Sequence, residues 1–259
     1  MDSAPVVFGA VGPPWWNDRT VYVVGGGPSL KGFDFTRLPS LGHVFGVNQA
    51  MVDAHCCAGI SIDRLFIDAN RLRLETFAAS RELYLAPGNT WRKLLEPVAG
   101  ATYLRNVPAG LSREPGTVAT GGTSGYAALN LAVLKGAKRI VLLGYDYGLI
   151  DGRHHYHDAY PWHHVANDQS WPAWAKQFDA AAPLLAAQGV EVVNASPQSA
   201  ITCFPKMSIE DALTWAQRCR TGRTQSTSRQ SSFALCTDSA TTSTFARSSA
   251  SGKRRTRFT

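Results

Sequence analysis

The sequence predicts an α/β protein with a doubly wound, mostly parallel, Rossmann-like sheet and helices on both faces. Short apolar runs typical of buried strands, such as Val21–Val24 and Lys138–Leu143, alternate along the chain with segments of helical character. Several of these runs end on glycine or on a side chain that forms hydrogen bonds. Because ligands of such sheets lie beyond the carboxyl ends of the strands, these ends predict a polar ligand cleft.

The elements can be assigned in chain order. Strands are predicted at Val21–Val24, His43–Asn48, Arg64–Asp68, Glu82–Leu85, Thr102–Val107, Lys138–Leu143 and Val190–Asn194. Helices are predicted over Leu72–Ala79, Trp91–Val98, Thr123–Lys135 and Trp171–Gln188, and from Ser208, which begins a capping box. The glycine- and threonine-rich stretch 110–122 has the composition of a mobile loop beside a site.

Composition divides the 259 residues into three parts. Residues 1–19 are predicted to be a loose lead-in, with Trp15 and Trp16 packing on the domain surface, and residues 20–216 to form the Rossmann-like domain. Residues 217–259, rich in Ser, Thr and Arg, are predicted to be a disordered basic tail. The tail holds nine Lys/Arg and one acidic residue, so the net charge of +7 belongs to it and the domain is nearly neutral. It is either a solvated extension or an arm attracted to polyanions.

The cellular setting is predicted from the cysteines and from the distribution of apolar residues. The five cysteines are odd in number and form no C-x-x-C pair, so a disulfide framework is not expected. Neither a signal peptide nor a membrane span is expected. The sequence therefore predicts a soluble, cytoplasmic protein, and it leaves open whether this protein is a homo-oligomer.

A glycine turn follows the first predicted strand. Gly25, Gly26 and Gly27 allow a tight turn, and Pro28 suits the first position of a helix. A strand, a glycine turn and a helix start place backbone N–H groups at one point, which attracts phosphate. By spacing alone the turn is either a phosphate site or a structural corner, since it matches neither G-x-G-x-x-G nor a Walker loop.

Histidines are concentrated after the strand that leads into Asp146. Five of the seven histidines lie between His154 and His164. A positioned histidine can accept a proton from a hydroxyl nucleophile near neutral pH. The same cluster could instead hold a metal, for instance through His155, His157 and Asp158, or lie on the surface without a role.

Three sequence blocks carry a family resemblance that extends from about Thr20 to Leu213. The segments V-V-G-G-G-P-S-L-K-G-F-D-F-T-R-L-P, F-G-V-N-Q and G-T-S-G-Y-A-A-L-N-L-A-V-L-K-G-A-K-R-I-V-L-L-G-Y-D resemble the bacterial sialyltransferases that make lipooligosaccharide. They are also similar to a broader group of uncharacterised, often phage-encoded proteins. A further similar group is the archaeal family that resembles 6-hydroxymethylpterin diphosphokinase. A phage-encoded member would act in the host cytoplasm.

The resemblance implies a glycosyltransferase whose donor nucleotide lies against the glycine turn. Gly26 stands where the sialyltransferases have Asn, and Asp68 is aligned with another Asn of those enzymes, so both departures argue against sialic acid as the sugar. The implied donor-binding residues are Gly25, Gly26, Gly27, Pro28, Ser29, Asn48, Asp68, Thr123, Ser124, Gly125 and Asp146. The implied catalytic segment contains His155 and His157 as candidates for the base and a partner, with Tyr156 beside them.

The function expected from this resemblance is direct displacement of a nucleotide by an acceptor hydroxyl. The sugar donor is a nucleotide-sugar, the acceptor a glycan or a hydroxymethylated DNA base, and no metal or other cofactor is expected. Two alternatives remain open. One is a pyrophosphokinase that uses ATP and Mg²⁺, with Asp68 and Asp146 as metal ligands. The other is a non-catalytic nucleotide- or DNA-binding protein whose tail contacts phosphates.

Overall fold

A seven-stranded parallel sheet forms the centre of the computed structural model, which describes residues 8–14, 16–17, 19–38, 43–88, 96–108, 110–160 and 170–218. The strand order is β5-β4-β3-β2-β1-β8-β9, and a separate parallel pair joins β6 to β7. The strands are β1 Thr20–Val24, β2 Val44–Val47, β3 Ala58–Ser61, β4 Glu82–Leu85, β5 Thr102–Tyr103, β6 Arg105–Val107, β7 Thr117–Ala119, β8 Arg139–Leu143 and β9 Glu191–Asn194. The helices are α1 Ala50–Asp53, α2 Arg64–Ala69, α3 Arg71–Ala78, α4 Ser124–Leu134, α5 Ser170–Ala187 and α6 Ile209–Arg218.

The direction of winding reverses at β1. From β1 the chain adds β2 to β5 on one side, and β8 and β9 then occupy the other side. The last residue of β1, Val24, is paired in register with Leu143 at the end of β8. A sheet of this kind opens a crevice beyond the carboxyl ends of the two strands where the order reverses. The glycine turn after Val24 lies at this point.

Both faces of the sheet are covered, as the doubly wound prediction requires. Successive side chains of a strand point to opposite faces, so Val23 enters one buried cluster and Val24 the other. The first cluster includes Leu131 of α4 and Phe178 of α5, and the second includes Leu213 of α6. The predicted α/β fold is therefore confirmed, with the sheet as the layer between two groups of helices.

One predicted strand is a helix. Residues Arg64–Ala69 form α2, and the third strand of the sheet is the earlier run Ala58–Ser61. The Asp63 carboxylate accepts hydrogen bonds from the amides of Leu65 and Phe66, which caps the helix. This cap and an i,i+4 ion pair between Arg64 and Asp68 favour a helix, although the apolar residues between them suggested a strand.

The predicted strand Thr102–Val107 is divided at Leu104. Its first part is β5 at the edge of the main sheet, and its second part is β6, which pairs with β7. Strand β7 lies within the stretch 110–122, so this segment is partly ordered by strand pairing and is not simply a loop. The predicted helix Trp91–Val98 falls largely outside the described residues.

The lead-in takes part in the core, which corrects the prediction of surface packing for Trp16. Trp16 is fully buried, with its ring edge-on to Phe45 of β2 at 5.6 Å. Phe8 forms a parallel bridge with Tyr103, and the Gly9 amide donates to the Tyr103 carbonyl. Trp15 is outside the described residues. The tail was predicted to begin at residue 217, but residues 217 and 218 still belong to α6. Residues 219–259 are outside the described ones, so for them the tail stays a prediction. No helix in the described ranges is long and apolar enough to span a bilayer.

Candidate ligand-binding site

A cavity of about 470 Å³ opens at the point where the strand order reverses. Its walls come from the residues that follow β1, β2, β3 and β8, from the first turn of α4, and from aromatic residues of the histidine segment and α5. This volume is within the range of pockets that hold small molecules and cofactors. The position agrees with the cleft predicted from the strand ends.

Close backbone packing explains two of the three glycines in the turn. A Cβ at Gly25 would lie 2.7 Å from the Gly144 carbonyl oxygen, and a Cβ at Gly27 would overlap both that oxygen and the Asp146 carboxylate. The amides of Gly25 and Gly27 donate to the carbonyls of Leu143 and Gly144, at 2.8 and 2.9 Å. The turn is therefore held tightly against the end of β8.

Most N–H groups of the turn are already used within the protein. Besides Gly25 and Gly27, the Ser29 amide donates to Asp146 Oδ2 at 2.9 Å. Pro28, at the start of a 3₁₀ helix, has no N–H. Among the N–H groups of the turn, that of Gly26 has no hydrogen-bond partner in the described part of the chain. The turn therefore offers a ligand one amide and close backbone approach, not the group of N–H donors that its sequence suggested.

The first turn of α4 is a stronger candidate for binding an anion. Thr123 caps the helix, because its Oγ1 accepts from the Tyr126 amide at 3.1 Å, and it also bonds the Tyr147 hydroxyl at 2.7 Å. Ser124 Oγ accepts from the Ile62 amide at 3.0 Å, which ties the end of β3 to this turn. Thr123, Ser124 and Gly125 all line the cavity, and the first N–H groups of a helix have no partner within it. The positive end of α4 thus faces the cavity.

Asn48 lines the same cavity and also has a buried side-chain oxygen. It follows β2 in a left-handed conformation with φ of 51°, and its side chain interacts with the Tyr160 hydroxyl. Its Oδ1 atom is buried and, among the described residues, has no hydrogen-bond partner. Since buried acceptors in native proteins are nearly always satisfied, this oxygen is an exception beside the cavity.

His155 is the predicted catalytic residue that reaches the cavity. Its Nδ1 atom lies 3.3 Å from the Gly26 carbonyl oxygen. A carbonyl oxygen only accepts, so this contact requires the proton on Nδ1 and leaves the lone pair of the neutral ring on Nε2. A Cβ at residue 26 would lie 3.3 Å from His155 Nδ1, so the glycine leaves the space beside this ring open.

His157 and Tyr156 lie behind His155 and are not part of the cavity wall. The rings of His155 and His157 are parallel, with centroids 5.3 Å apart. Burial lowers the pKa of His157, although the carboxylates of Asp53 and Asp158 oppose this shift. Tyr156 is nearly buried; its amide donates to the Gly26 carbonyl and its hydroxyl donates to Asp53 Oδ2 at 2.7 Å. His157 therefore packs against the His155 ring, and Tyr156 bonds the same Gly26 carbonyl as His155 does, but neither residue lines the cavity.

Four predicted donor-binding residues lie outside the cavity wall: Pro28, Ser29, Asp68 and Asp146. Asp146 is buried beneath the glycine turn, and burial raises its pKa against the lowering effect of Ser29. Asp68 is not at a strand end, because it lies in α2 and pairs with Arg64 at 2.8 Å. The two carboxylates proposed for Mg²⁺ thus have protein partners, and Asp68 was misplaced by the strand assignment.

His155, His157 and Asp158 were considered as ligands of a metal ion, and they are not grouped as such in this structure. Within residues 8–160 and 170–218, apart from the short gaps given above, no three His, Cys, Asp or Glu side chains are grouped to hold a metal ion. Asp158 instead pairs with Arg153 at 3.4 Å.

Sequence reasoning missed an aromatic wall. Tyr160 meets the rings of His155 and His157 edge-on, at 5.0 and 4.7 Å. Trp171 lies 5.7 Å from the ring of His154, and both line the cavity together with Trp174. The only signal in the sequence was the aromatic composition of the segment after Asp146. Its folding back onto the glycine turn is a tertiary contact without a local signature.

Comparison with known proteins shows similarity to solved structures and to neither a family model nor a curated sequence. No model of a known protein family matches the sequence, and no curated protein matches it significantly. Structures of the sialyltransferase CstII, one from Campylobacter jejuni with the substrate analogue CMP-3FNeuAc, align over 73% of this chain and 86% of theirs, with a TM-score of 0.45 and 18% identity. A MAf glycosyltransferase from Magnetospirillum magneticum AMB-1 aligns over 82% of this chain and 38% of its own, with a TM-score of 0.49 and 14% identity. At these values, function has to be derived from the residues of the site.

Proposed function

We propose that the protein is a glycosyltransferase that moves a sugar from a nucleotide-sugar to a hydroxyl group of an acceptor. The observation that carries this proposal is the position of His155. Its ring lies at the wall of the cavity with Nδ1 directed at the Gly26 carbonyl, and the positive end of α4 lines the same cavity. A basic nitrogen and a site for a negatively charged leaving group are the two parts that this displacement needs.

The reaction is a direct displacement at the anomeric carbon. Nε2 of His155 accepts the proton of the acceptor hydroxyl as its oxygen forms the new bond to the sugar. The bond between the sugar and the nucleotide phosphate breaks at the same time, and the electron pair leaves with the phosphate oxygen. The N–H groups at the start of α4 stabilise the charge that develops there.

His157 supports this role by remaining neutral. The two parallel rings are 5.3 Å apart, and two imidazolium cations at this distance would repel each other. Burial lowers the pKa of His157, so at neutral pH this ring carries no charge that would oppose proton transfer to His155. Tyr156 lies between the two histidines in the sequence. Its hydroxyl donates to Asp53, which fixes the backbone of the segment.

The aromatic wall suits the flat or apolar faces of a nucleobase or a sugar. Trp171, Trp174 and Tyr160 give large rigid surfaces at little entropic cost, and stacking of a base on such a ring contributes about 1–3 kcal/mol. Asn48 adds a polar residue to the same cavity wall. The acceptor, a glycan or a hydroxymethylated DNA base, the homo-oligomeric state and a phage origin stay predictions.

Nucleotide specificity is tested first by thermal shift of the full chain. We expect a CMP-, UDP- or GDP-sugar to raise the melting temperature without added metal, and EDTA to leave this effect and the later turnover unchanged. Stabilisation by ATP with Mg²⁺ alone would overturn the proposal in favour of a pyrophosphokinase. The absence of stabilisation by every nucleotide and nucleotide-sugar would also overturn it.

The base is tested with His155→Ala. With the donor that stabilises the protein, we expect turnover to fall by about 10²–10⁴, the usual contribution of a general base, while donor affinity stays within about threefold. His55→Ala is the matched control, because His55 is exposed and distant in sequence from the segment. Full turnover by His155→Ala would reject His155 as the base.

A further inference from the structure

Arg64 is the only Lys or Arg side chain among the described residues that line the cavity. It is the first residue of α2, and its side chain is 33% exposed. Two residues earlier, the Ile62 amide donates to Ser124 Oγ at 3.0 Å, so the segment that carries Arg64 is tied to the first turn of α4. The segment that carries the Arg64 guanidinium group therefore lies at the end of β3, on the side where α4 begins.

Arg64 uses only part of its hydrogen-bonding capacity within the protein. Its Nη1 atom donates to Asp68 Oδ2 at 2.8 Å, one helical turn later, and no other partner occurs in the described part of the chain. The Asp68 side chain is only 8% exposed, and its carboxylate holds one nitrogen of the guanidinium group. Arginine has five N–H donors in a planar fork that matches the oxygens of a carboxylate or phosphate.

The second neighbouring acid, Asp63, is engaged by backbone amides of α2. Asp63 also lines the cavity, but its Oδ1 accepts from the amides of Leu65 and Phe66 at 2.9 and 3.3 Å. Its carboxylate is thus held at the start of α2, where the helix end compensates its charge. Arg64 itself lines the cavity, and Asp68 engages only one of its nitrogen atoms.

We infer that Arg64 binds an anionic group of the ligand, either a phosphate of the nucleotide or a carboxylate of the sugar. Asp68 is then a positioning residue that orients the guanidinium group, which differs from the direct ligand contact predicted from the sequence. This inference rests on the proposed function, since it names the charge of the ligand in the same cavity.

The experiment measures the affinity of the full chain for matched probes by calorimetry. The probes are CMP, UMP, GMP and AMP with the corresponding nucleosides, and CMP-3FNeuAc with UDP-glucose. For the nucleotide that binds, we expect Arg64→Ala to weaken binding at least about tenfold and to leave nucleoside binding unchanged, as expected for a lost charge-assisted hydrogen bond. Arg73→Ala is the control, because Arg73 is an exposed arginine on α3.

The probes also identify the source of the anionic group. A loss confined to nucleotides over nucleosides assigns the contact to phosphate. Equal nucleotide affinity with weaker binding of CMP-3FNeuAc, but not of UDP-glucose, assigns it to the carboxylate. Arg64→Lys keeps the charge and loses the fork, so it should recover part of the affinity.

Asp68→Asn tests the positioning role, because it should weaken the same probes as Arg64→Ala, to a smaller degree, while nucleoside binding and the melting temperature stay unchanged. If Arg64→Ala binds every probe as the wild type does, the inference is wrong and the proposed function stands. If the wild type binds no nucleotide or nucleotide-sugar, both fail. Circular dichroism spectra that match the wild type exclude misfolding, which is not expected because one i,i+4 pair contributes only about 0.5 kcal/mol.

Discussion

Gly26 and Gly27 are adjacent, yet an added methyl group would meet very different surroundings at the two positions. At Gly27 it would overlap the Gly144 carbonyl oxygen and the Asp146 carboxylate, neither of which can move without breaking the turn. At Gly26 it would approach the His155 ring at 3.3 Å, where a side chain can yield. Gly26 thus leaves room for the His155 ring, whereas Gly27 is needed for the turn to fold.

These surroundings predict that alanine at position 27 mainly lowers stability, whereas alanine at position 26 mainly lowers activity. Gly27→Ala should lower the free energy of unfolding by about 3 kcal/mol, because overpacking against a backbone atom has no cheap relief. Gly26→Ala should change it by less than about 1 kcal/mol but reduce turnover several-fold, since the methyl group displaces His155. Urea denaturation and donor turnover measure the two effects. A Gly26→Ala variant with normal turnover, or a Gly27→Ala variant of normal stability, would contradict the prediction.

Some residues of the cavity wall were predicted from the sequence. Asn48, Thr123, Ser124, Gly125 and His155 were singled out from the sequence, and the structure brings them to one cavity. Arg64, Tyr160 and the two tryptophans of α5 were not. Their place in the wall depends on which loops fold over the carboxyl ends of the strands, and no short-range pattern encodes that.

At the scale of elements, helix signals and strand signals compete over short apolar runs. The run R-L-F-I-D contains three apolar residues in sequence and reads as a buried strand, but Asp63 caps it and Arg64 pairs with Asp68. The true strand, Ala58–Ser61, has small residues with little strand propensity. It is a strand because it pairs on both sides, with β2 and β4, which is a long-range cause.

The opposite case is α4, where local signals and tertiary contacts agree. Thr123 caps the helix and also bonds the Tyr147 hydroxyl, so Thr123→Val removes two hydrogen bonds without changing side-chain size. We expect the free energy of unfolding to fall by about 1–2 kcal/mol and donor binding to weaken. Thr123→Ser keeps the hydroxyl group and should lose less than about 0.5 kcal/mol. Chemical denaturation provides the test, and equal stability of the Val and Ser variants would show that the cap is not used.

For the whole molecule, the position of the site follows from strand order. Alternation of strands and helices predicted a parallel doubly wound sheet, but it did not tell which strand lies next to β1. The pairing of β1 with both β2 and β8 decides that, and it brings the glycine turn beside Gly144 although these residues are far apart in sequence. The cleft could thus be predicted as a feature of the fold, whereas the part of its wall formed by Arg64, Tyr160, Trp171 and Trp174 could not.

The lead-in shows that the folded body begins before β1. Trp16 is fully buried against Phe45, and its amide donates to the Lys135 carbonyl after α4 at 3.0 Å. Trp16→Ala should therefore lower the free energy of unfolding by about 3–5 kcal/mol, the range for loss of a large buried aromatic side chain. Trp16→Phe preserves an aromatic contact with Phe45 and should retain most of the stability. Urea denaturation of the two variants makes the comparison. If Trp16→Ala unfolds at the same urea concentration as the wild type, the segment before Thr20 is an accessory to the fold and not a part of its core.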